Sequence, residues 1–354
     1  MRQAPDTQCE YSTSTHQHPQ YQHIHSIASM AKRTLDAFFS LTPTAAKRAR
    51  VEPQSTTTTL NSTVATTHPT YSWPVPHLPE HISSEVELLV TTQGKEIKDQ
   101  PHLDLLYFQP FVPRSISQDL FNFLRSELFF YRVKYTIKRF GKETIINTPR
   151  FTTVFGLDET SFFADNNQIV EATSPTKPVR KDKYKCKPRP IPECLDLLRR
   201  VTEANTNTKY NFCLVNYYAS GSDSISFHSD DERFLGPDPA IASFTLGAKR
   251  DFLMKHKPTK EDEPKLETRD IKLPLASGDM VLMRGPTQSN WLHSIPKRKG
   301  GEADKGRINI TFRRAMIPAG TENYYRYNVG EGGVYQWDST KREMMPWSKS
   351  TITS

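Results

Sequence analysis

Apolar residues recur at helical spacing in two stretches of the chain. Within residues 116–130 they occupy positions 116, 120, 121, 124 and 128, which lie on one face of an α-helix. Ser117 is the expected N-cap of this helix, because its hydroxyl can accept a backbone hydrogen bond. A second helix is predicted over residues 192–203, where leucine and valine recur every three residues.

The rest of the apolar pattern consists of short runs rich in β-branched and aromatic residues, separated by Gly, Pro and Asp. These runs cover residues 131–140, 212–218, 224–230, 240–247, 251–255, 280–284 and 307–313. Many short strands with turn signals at such intervals predict an all-β barrel or sandwich. We therefore expect a mainly β protein with two flanking helices.

The N-terminal part has a different composition, dominated by Ser, Thr, His, Gln and Pro. Such a segment buries too little apolar surface to offset the entropy of ordering it, so we predict a disordered tail over residues 1–100. A folded domain is expected over residues 101–316, followed by a C-terminal extension over residues 317–354. Residues 173–190 carry seven basic side chains and are predicted to form a loop, either solvated or phosphate-binding.

The apolar runs and the cysteines argue against a membrane protein, a secreted protein and a disulfide framework for this basic chain. The 354 residues include 47 Lys and Arg against 39 Asp and Glu, which gives a formal charge of +8. No run approaches the ~18 apolar residues of a membrane span, and the first 30 residues lack the apolar core of a secretory signal. The four cysteines form no C-x-x-C pair, so we expect reduced thiols inside a cell rather than a disulfide or zinc framework.

One strand-like segment brings two metal-ligand side chains together. His228 and Asp230 are two residues apart, so in an extended strand they point to the same side. His293 follows a predicted strand and a polar turn, and it would complete a set of two histidines and one carboxylate. Such a facial triad leaves positions open and suits non-haem iron(II), which must bind a cosubstrate and O₂. Taken alone, H-x-D is more often a surface pair, and a closed zinc site would need a fourth protein ligand.

The segment 307–313 alternates strictly between polar and apolar residues, with Arg307 and Arg313 on the polar face. If that face lines the interior of a barrel, the two guanidinium groups require an anion, because unpaired buried charges are costly. A carboxylate is the natural bidentate partner of arginine. Asn216 and Tyr218 project together from a neighbouring strand and could serve the same ligand. The alternative is a solvent-exposed strand face with two ordinary cations.

Taken together, these motifs resemble the AlkB family of iron(II)/2-oxoglutarate-dependent dioxygenases, and within it the nuclear homologues that repair double-stranded DNA. The matching segments are residues 211–218, 228–232, 241–252, 293–296 and 307–313. The resemblance covers about residues 103–316. It implies a double-stranded β-helix (jelly roll) whose iron is held by His228, Asp230 and His293.

The resemblance also implies how the cosubstrate is bound. Asn216, Tyr218, Arg307 and Arg313 would hold the two carboxylate ends of 2-oxoglutarate. We expect Arg313 at the distal carboxylate and Arg307 nearer the metal and the substrate.

The activity implied by the resemblance is oxidative demethylation of N-alkylated bases in DNA, of the N1-methyladenine and N3-methylcytosine type. Decarboxylation of 2-oxoglutarate is coupled to hydroxylation of the methyl group, which leaves as formaldehyde. One alternative with the same chemistry is a demethylase of RNA or of single-stranded nucleic acid. Another, from a different class, is a non-catalytic nucleic-acid-binding protein that has kept the fold.

A methyl group on the pairing edge of a base is inaccessible inside a duplex, so the nucleotide must be extruded. By resemblance, Phe140 is the wedge that enters the base stack, and Arg139, Lys142 and Arg150 meet phosphates. Phe140 could instead be a core residue at the end of a strand. Gly141 and the surrounding cations favour an exposed turn.

Other expected nucleic-acid contacts lie near the metal ligands. Lys297, Arg298 and Lys299 follow His293, as a basic loop does in the repair branch, and basic runs give a sequence-independent grip. Glu232 matches a pocket position that contacts the extruded base. Further candidates are Lys249 and Arg250 for phosphates and Tyr184 for the wall of the base pocket.

The tail holds two short motifs. Leu35, Phe38 and Phe39 resemble a sliding-clamp-binding peptide, although Lys32 stands where such a peptide has glutamine; a chance apolar patch is the alternative. The basic residues at 47–50 are typical of a nuclear-import cluster. We expect a monomeric nuclear protein.

Overall fold

The computed structural model describes residues 64–89, 93–184, 186–258, 266–317 and 332–348. Within these ranges, every helix is too short or too polar to cross a lipid bilayer.

The described chain is mainly β. Its strands are β1 (Ala65–Thr66), β2 (Val75–Pro76), β3 (Lys95–Ile97), β4 (Leu105–Phe108), β5 (Phe130–Arg139), β6 (Lys142–Gly156), β7 (Ser161–Phe163), β8 (Ile169–Glu171), β9 (Ser174–Pro178), β10 (Phe212–Tyr218), β11 (Ile225–His228), β12 (Ile241–Gly247), β13 (Arg250–His256), β14 (Ile271–Leu275), β15 (Met280–Met283), β16 (Trp291–Ile295), β17 (Arg307–Arg313), β18 (Val334–Asp338) and β19 (Glu343–Pro346). Its α-helices are α1 (Glu80–Glu87), α2 (Arg114–Glu127), α3 (Glu193–Thr206) and α4 (Thr287–Asn290).

Two sheets enclose the site. The larger has ten strands in the order β19-β18-β5-β6-β10-β17-β12-β15-β4-β3, and the smaller has four in the order β11-β16-β13-β14. All ladder pairs within these two sheets are antiparallel. Side chains from both sheets line one pocket. This arrangement confirms the predicted mainly β, jelly-roll type of fold.

The centre of the larger sheet carries most of the polar wall of the pocket. Every residue of β10 is buried, because β10 lies between β6 and β17 and is covered on both faces. On β17, Ile308, Ile310 and Phe312 are fully buried in the core. The alternate residues of β17 line the pocket, as the strict alternation predicted.

The two helices differ in their bounds from the prediction. Helix α2 begins at Arg114 with Pro113 as its N-cap, so Ser117 is a buried residue inside the first turns and not the cap. The expectation was wrong because proline, with its fixed φ, starts a helix without a side-chain acceptor. Helix α3 ends at Thr206, three residues beyond the predicted end, and its C-cap Asn207 adopts a left-handed conformation with φ 50°.

Ordered structure begins well before residue 100. Strands β1 and β2 and helix α1 lie in the stretch assigned to the tail, and Val75, Ile82 and Val86 are buried in the main core. Those few apolar residues suffice because α1 packs against α2 and α3 rather than folding by itself. The predicted boundary of the tail at residue 100 is therefore corrected.

The basic insert and the C-terminal extension are also partly regular. Within the insert, β9 pairs with β8, so the prediction of a simple loop over residues 173–190 was wrong. Five of its side chains are exposed or half-exposed cations, whereas Arg189 is buried against the rings of Phe129 and Tyr131. In the extension, β18 pairs with β5 and with β19 and lengthens the larger sheet.

Candidate active site

Three side chains that can ligate a metal meet at one end of the pocket. The ligand atoms of His228, Asp230 and His293 all lie within 4.8 Å of one another. The Nε2 atom of His228 is 4.0 Å from Oδ1 of Asp230, and the Nε2 atom of His293 is 3.8 Å from Oδ2. Metal bonds to nitrogen and oxygen are about 2.0–2.2 Å long, so two ligands at right angles on one ion stand about 3 Å apart. Both distances are within about 1 Å of that spacing, so a small rotation of the side chains brings them onto a shared ion.

Strand pairing produces this convergence. Strands β11 and β16 are antiparallel, and His228 is the direct partner of His293 in their ladder. Directly opposed side chains on one face of a sheet stand about 4.5–5.5 Å apart at Cβ, and the two imidazole rings are 4.2 Å apart at their centroids. Asp230 lies two residues beyond the last residue of β11, and its carboxylate lies beside both imidazole rings.

Hydrogen bonds with neighbouring groups hold two of the three ligands, His228 and Asp230, in place. The Nδ1 atom of His228 lies 2.9 Å from the backbone oxygen of Ser226 and, as the donor tautomer, leaves Nε2 with its lone pair toward the cluster. The backbone N–H of Asp230 donates to Oε1 of the buried Gln288 at 2.9 Å. Sequence reasoning missed Gln288, since a glutamine in a polar turn carries no signal of this contact.

The electrostatics of the cluster suit metal binding. Burial, with a smaller contribution from His228, lowers the pKa of His293 to about 3, so this imidazole is neutral near pH 7. Burial by itself would raise the pKa of the Asp230 carboxyl, but Arg313 and then the two histidines outweigh it and hold the pKa below its usual range. The site therefore presents neutral imidazole and an ionised carboxylate, which are the forms that ligate metals.

At the far end of the pocket lies a buried arginine, Arg307, some of whose hydrogen-bond donors have no acceptor among the described residues. Arg307 is 1% exposed and donates from Nη2 to Thr245 Oγ1 at 2.8 Å. Among the described residues, neither Nε nor Nη1 of Arg307 has a hydrogen-bond partner. Burial lowers the pKa of this guanidinium to about 10, so it still carries its charge near pH 7. A buried cation with two unused donors is the environment that a carboxylate ligand would satisfy.

The second arginine of β17 stands at the opposite end, beside the metal cluster. Arg313 Nη2 is 3.1 Å from Asp230 Oδ1, and its Nη1 is 3.9 Å from a carboxylate oxygen of Glu232. Arg313 thus lies beside the metal cluster and Arg307 at the far end of the pocket, which is the reverse of the expected placement. Alternation along a strand shows which residues share a face, but it does not show which end of that face meets another sheet.

Asn216 and Tyr218 line the same pocket from β10. In the ladder between β10 and β17 they pair with Asn309 and Arg307, respectively. The side-chain oxygen of Asn216 accepts hydrogen bonds from Thr152 Oγ1 at 2.8 Å and from Arg150 Nε at 3.2 Å. The Tyr218 ring lies 5.2 Å from the Arg307 guanidinium.

Comparison with known proteins agrees with this geometry. The model of the 2OG-Fe(II) oxygenase superfamily matches residues 104–313. The chain belongs to this superfamily. Its members take iron(II), 2-oxoglutarate and O₂, so the predicted cofactors are confirmed. The match spans both sheets, from β4 to the end of β17.

The similar curated proteins of this superfamily are AlkB homologues, which confirms the resemblance seen in the motifs. The chain is 39% identical over 130 residues to DNA oxidative demethylase ALKBH2 of Homo sapiens, covering 37% of this chain and 49% of the relative. It is 32% identical over 230 residues to DNA oxidative demethylase ALKBH2 of Arabidopsis thaliana, covering 60% and 67%. It is 41% identical over 118 residues to alpha-ketoglutarate-dependent dioxygenase alkB homolog 3 of Bos taurus, covering 33% and 41%. The chain spans about half the length of the human relative.

In this AlkB-type oxygenase, Phe140 lies at the tip of a long hairpin. Strands β5 and β6 pair as far as Arg139 and Lys142, so Phe140 and Gly141 form a two-residue turn with φ of 51° and 76°. The Phe140 side chain is fully exposed, at 102%. The alternative of a core residue is therefore excluded. A bulky residue at positive φ costs about 1–3 kcal/mol, and such strain clusters at functional sites.

The other expected nucleic-acid contacts fall into three groups. Lys142, Lys297 and Lys299 are exposed cations, and Arg298 is exposed but ion-paired with Asp251. Glu232 lines the pocket, as predicted. The side chain of Arg139 lies outside the described residues, as do the tail motifs with Leu35, Phe38 and Phe39 and the basic cluster at 47–50.

Three assignments are corrected, one by the contacts of the side chain and two by its burial. Arg150 faces into the pocket beside Asn216 instead of toward a phosphate. Arg250 is 1% exposed and cannot meet DNA. Tyr184 is buried, donates to Asp158 Oδ2 at 2.7 Å and is not among the residues that line the pocket. Residue type predicted these contacts, but the strand register decides which way each side chain points.

Proposed function

We propose that the protein is an oxidative demethylase that repairs N-alkylated bases, of the N1-methyladenine and N3-methylcytosine type, in duplex DNA. The observation that carries the proposal is one pocket with a two-histidine, one-carboxylate cluster at one end and the unsatisfied Arg307 at the other. Two of the similar proteins bear the name DNA oxidative demethylase.

In this proposal His228, Asp230 and His293 hold iron(II) on one face. Three protein ligands leave positions for the cosubstrate and O₂, as a facial triad requires. Gln288 orients Asp230 through its backbone N–H, and Ser226 orients the His228 ring. Bound iron with 2-oxoglutarate and O₂ supplies the oxidation of a methyl carbon, releasing succinate, CO₂, formaldehyde and the restored base.

Arg307 is proposed to bind the distal carboxylate of 2-oxoglutarate through Nε and Nη1, which have no hydrogen-bond partner among the described residues. Arg313 keeps Asp230 ionised and lies near the end of the cosubstrate that meets the metal. Tyr218 lies beside Arg307 at the distal end, and Asn216, paired with Asn309, lines the pocket two residues closer to the metal end. The charges thus orient a dicarboxylate along the pocket in one direction.

The extruded base would enter beside Glu232, which lies at the metal end of the pocket near Arg313. Phe140 is proposed to fill the gap that the base leaves in the stack, since it is a fully exposed aromatic on a projecting turn. Lys142, Lys297, Arg298 and Lys299 would contact phosphates, with Arg139 as a further candidate beside the tip. A methyl group on the pairing edge weakens pairing and lowers the cost of extrusion.

The test is formaldehyde release from oligonucleotides carrying one 1-methyladenine, as duplex and as single strand, with iron(II) and 2-oxoglutarate. We expect product from the duplex and none from His228→Ala, whereas His81→Ala, an exposed histidine outside the pocket, retains full activity. Product from single strands or RNA alone would favour the alternative demethylase. The absence of formaldehyde and succinate from every substrate would leave only a binding protein and refute the proposal.

We further propose that the protein acts in the nucleus as a monomer and binds a sliding clamp through Leu35, Phe38 and Phe39. The support is the sequence of the tail, including the basic residues at 47–50. A peptide of residues 28–44 should bind the clamp, and the same peptide with Phe38→Ala and Phe39→Ala should not.

A further inference from the structure

A buried arginine joins two loops beside the pocket. Arg250, the first residue of β13, donates from Nη2 to the backbone oxygens of Asp223 at 2.8 Å and Pro296 at 2.6 Å. Its Nη1 donates to the backbone oxygen of Ser220 at 3.4 Å. The acceptors therefore lie in the loop at 219–224 and at the residue that precedes Lys297, Arg298 and Lys299, here called the basic loop.

Backbone carbonyls, rather than a carboxylate, hold this charge. Among the described residues no acidic side chain forms an ion pair with Arg250, and it is 1% exposed. An isolated buried cation costs several kcal/mol unless hydrogen bonds compensate it. Because the compensating carbonyls come from two loops, Nη1 and Nη2 of Arg250 keep these partners only when both loops occupy these positions. Arg250 is not among the residues that line the pocket, so the cosubstrate is not its partner.

The loop at 219–224 is bonded in turn to both DNA-facing elements. The backbone N–H of Arg298 donates to the Gly221 oxygen at 2.7 Å, and the Gly221 N–H donates to Asp304 Oδ1 at 3.0 Å. On the other side, the backbone N–H of Ser224 donates to the oxygen of Pro149 in β6, at 3.1 Å. This loop thus joins the basic loop to the base of the hairpin that carries Phe140.

We infer that Arg250 is a positioning residue that sets the basic loop and the Phe140 hairpin relative to each other, so that both grip one DNA duplex. The inference rests on the proposed function. Arg250 itself touches no phosphate. It acts through the phosphate contacts of Lys297 and Lys299. These two side chains reach the phosphates only while the hydrogen bonds between the two loops hold the basic loop in place.

Two variants disturb this joint in different ways. Arg250→Lys keeps the buried charge but cannot reach three carbonyls at once, because lysine lacks the planar fork of donors. Gly221→Ala leaves Arg250 intact, but the added Cβ would lie 2.2 Å from the Arg298 backbone oxygen, so the two loops must separate. Lys95→Ala removes an exposed cation on the edge strand β3 and is the matched control.

The experiment measures the Kd of a fluorescent duplex containing one 1-methyladenine at several salt concentrations, and the Kd of 2-oxoglutarate with Mn²⁺ present. Each lost phosphate contact makes the slope of log K against log salt shallower by about 0.9, so loss of one to three contacts changes it by about 1–3. We expect this change in Arg250→Lys and in Gly221→Ala, with the Kd of 2-oxoglutarate within twofold of wild type and Lys95→Ala unchanged in both.

Three results would overturn the inference. Unchanged salt slopes in both variants would mean that the joint does not position the basic loop. A Kd of 2-oxoglutarate that rises by the same factor as the Kd of DNA would mean that Arg250 supports the pocket instead. Wild-type protein without salt-dependent duplex binding would refute the proposed function and, with it, this inference.

Discussion

The most direct perturbation of the pocket is Arg307→Met, which removes the distal guanidinium while keeping a long, unbranched side chain. Arg307 offers Nε and Nη1 to a ligand, and both are buried without a partner among the described residues. Charge-assisted hydrogen bonds contribute about 1.5–3 kcal/mol each. Two of them contribute about 3–6 kcal/mol, and about 1.4 kcal/mol corresponds to a tenfold change in Kd. The variant should therefore bind 2-oxoglutarate at least about 100-fold more weakly.

Although Arg307→Met should weaken cosubstrate binding, it should not lower the stability of the unliganded protein. Among the described residues, the Arg307 guanidinium is compensated only by neutral groups, the Thr245 hydroxyl and the Tyr218 ring, so removing this charge is expected to be neutral or stabilising. We expect the unfolding temperature without ligand to be unchanged or higher in Arg307→Met. The stabilisation by added 2-oxoglutarate, about 2.7 kcal/mol at a hundredfold excess over Kd, should be lost.

Titration calorimetry with Mn²⁺ in place of iron(II) separates binding from turnover. Arg284→Met is the matched control, because Arg284 makes its ion pairs with Asp104 and Glu96, outside the pocket. The control should bind 2-oxoglutarate within twofold of wild type. A Kd for Arg307→Met within tenfold of wild type would refute the assignment of Arg307 to the distal carboxylate.

Three further outcomes follow from individual contacts. Phe140→Gly relieves about 1–3 kcal/mol of strain at positive φ but costs about 0.5–1 kcal/mol through the added entropy of the unfolded chain. The free energy of unfolding should therefore rise by about 0–2.5 kcal/mol, yet the variant should slow duplex repair far more than single-strand repair in the formaldehyde assay. Gln288→Leu removes the acceptor of the Asp230 N–H and should weaken Mn²⁺ binding, measured by electron paramagnetic resonance, by about 10–100-fold; unchanged affinity would contradict this role. Burial raises the pKa of the Cys194 and Cys213 thiols, so both should resist a thiol reagent until urea unfolds the protein, and labelling of either in the native state would count against their burial.

The sequence predicted the central strands and the metal cluster well because their signals are local. The predicted strands at 212–218 and 307–313 coincide with β10 and β17. Their residues are apolar, β-branched or aromatic, and the polar exceptions fall at every second position, which is the period of a strand. His228 and Asp230 were placed together for the same reason. The partner His293 required only that its strand lie beside β11, which the fold supplies.

The roles of the arginines could not be predicted in the same way. Residue type gives the same expectation for all four arginines, which is that a cation is exposed unless it is paired. These are Arg150, Arg250, Arg307 and Arg313. Their environments depend on which strands cross near them. Arg150 meets Asn216 because β6 pairs with β10 in the larger sheet. Arg313 meets Asp230, which follows β11 of the smaller sheet, only when the two sheets pack together. Arg250 meets carbonyls of two loops that lie far apart in the sequence.

Two residues depart from the rule that apolar side chains are buried and charged side chains are exposed. One belongs to the proposed DNA-binding surface and the other to the proposed cosubstrate pocket. Phe140 is an apolar ring left wholly in solvent on a strained turn, whereas Arg307 is a charge left wholly out of solvent with donors unused. Each of these residues lowers the free energy of unfolding of the unliganded protein, and contact with a ligand offsets that loss. An exposed ring gains by stacking with bases, and a buried guanidinium gains by meeting a carboxylate. Because Phe140 and Arg307 lie on different elements, substitution of one should leave the ligand of the other unaffected, so that Phe140→Gly retains the wild-type Kd for 2-oxoglutarate and Arg307→Met retains the wild-type Kd for duplex DNA.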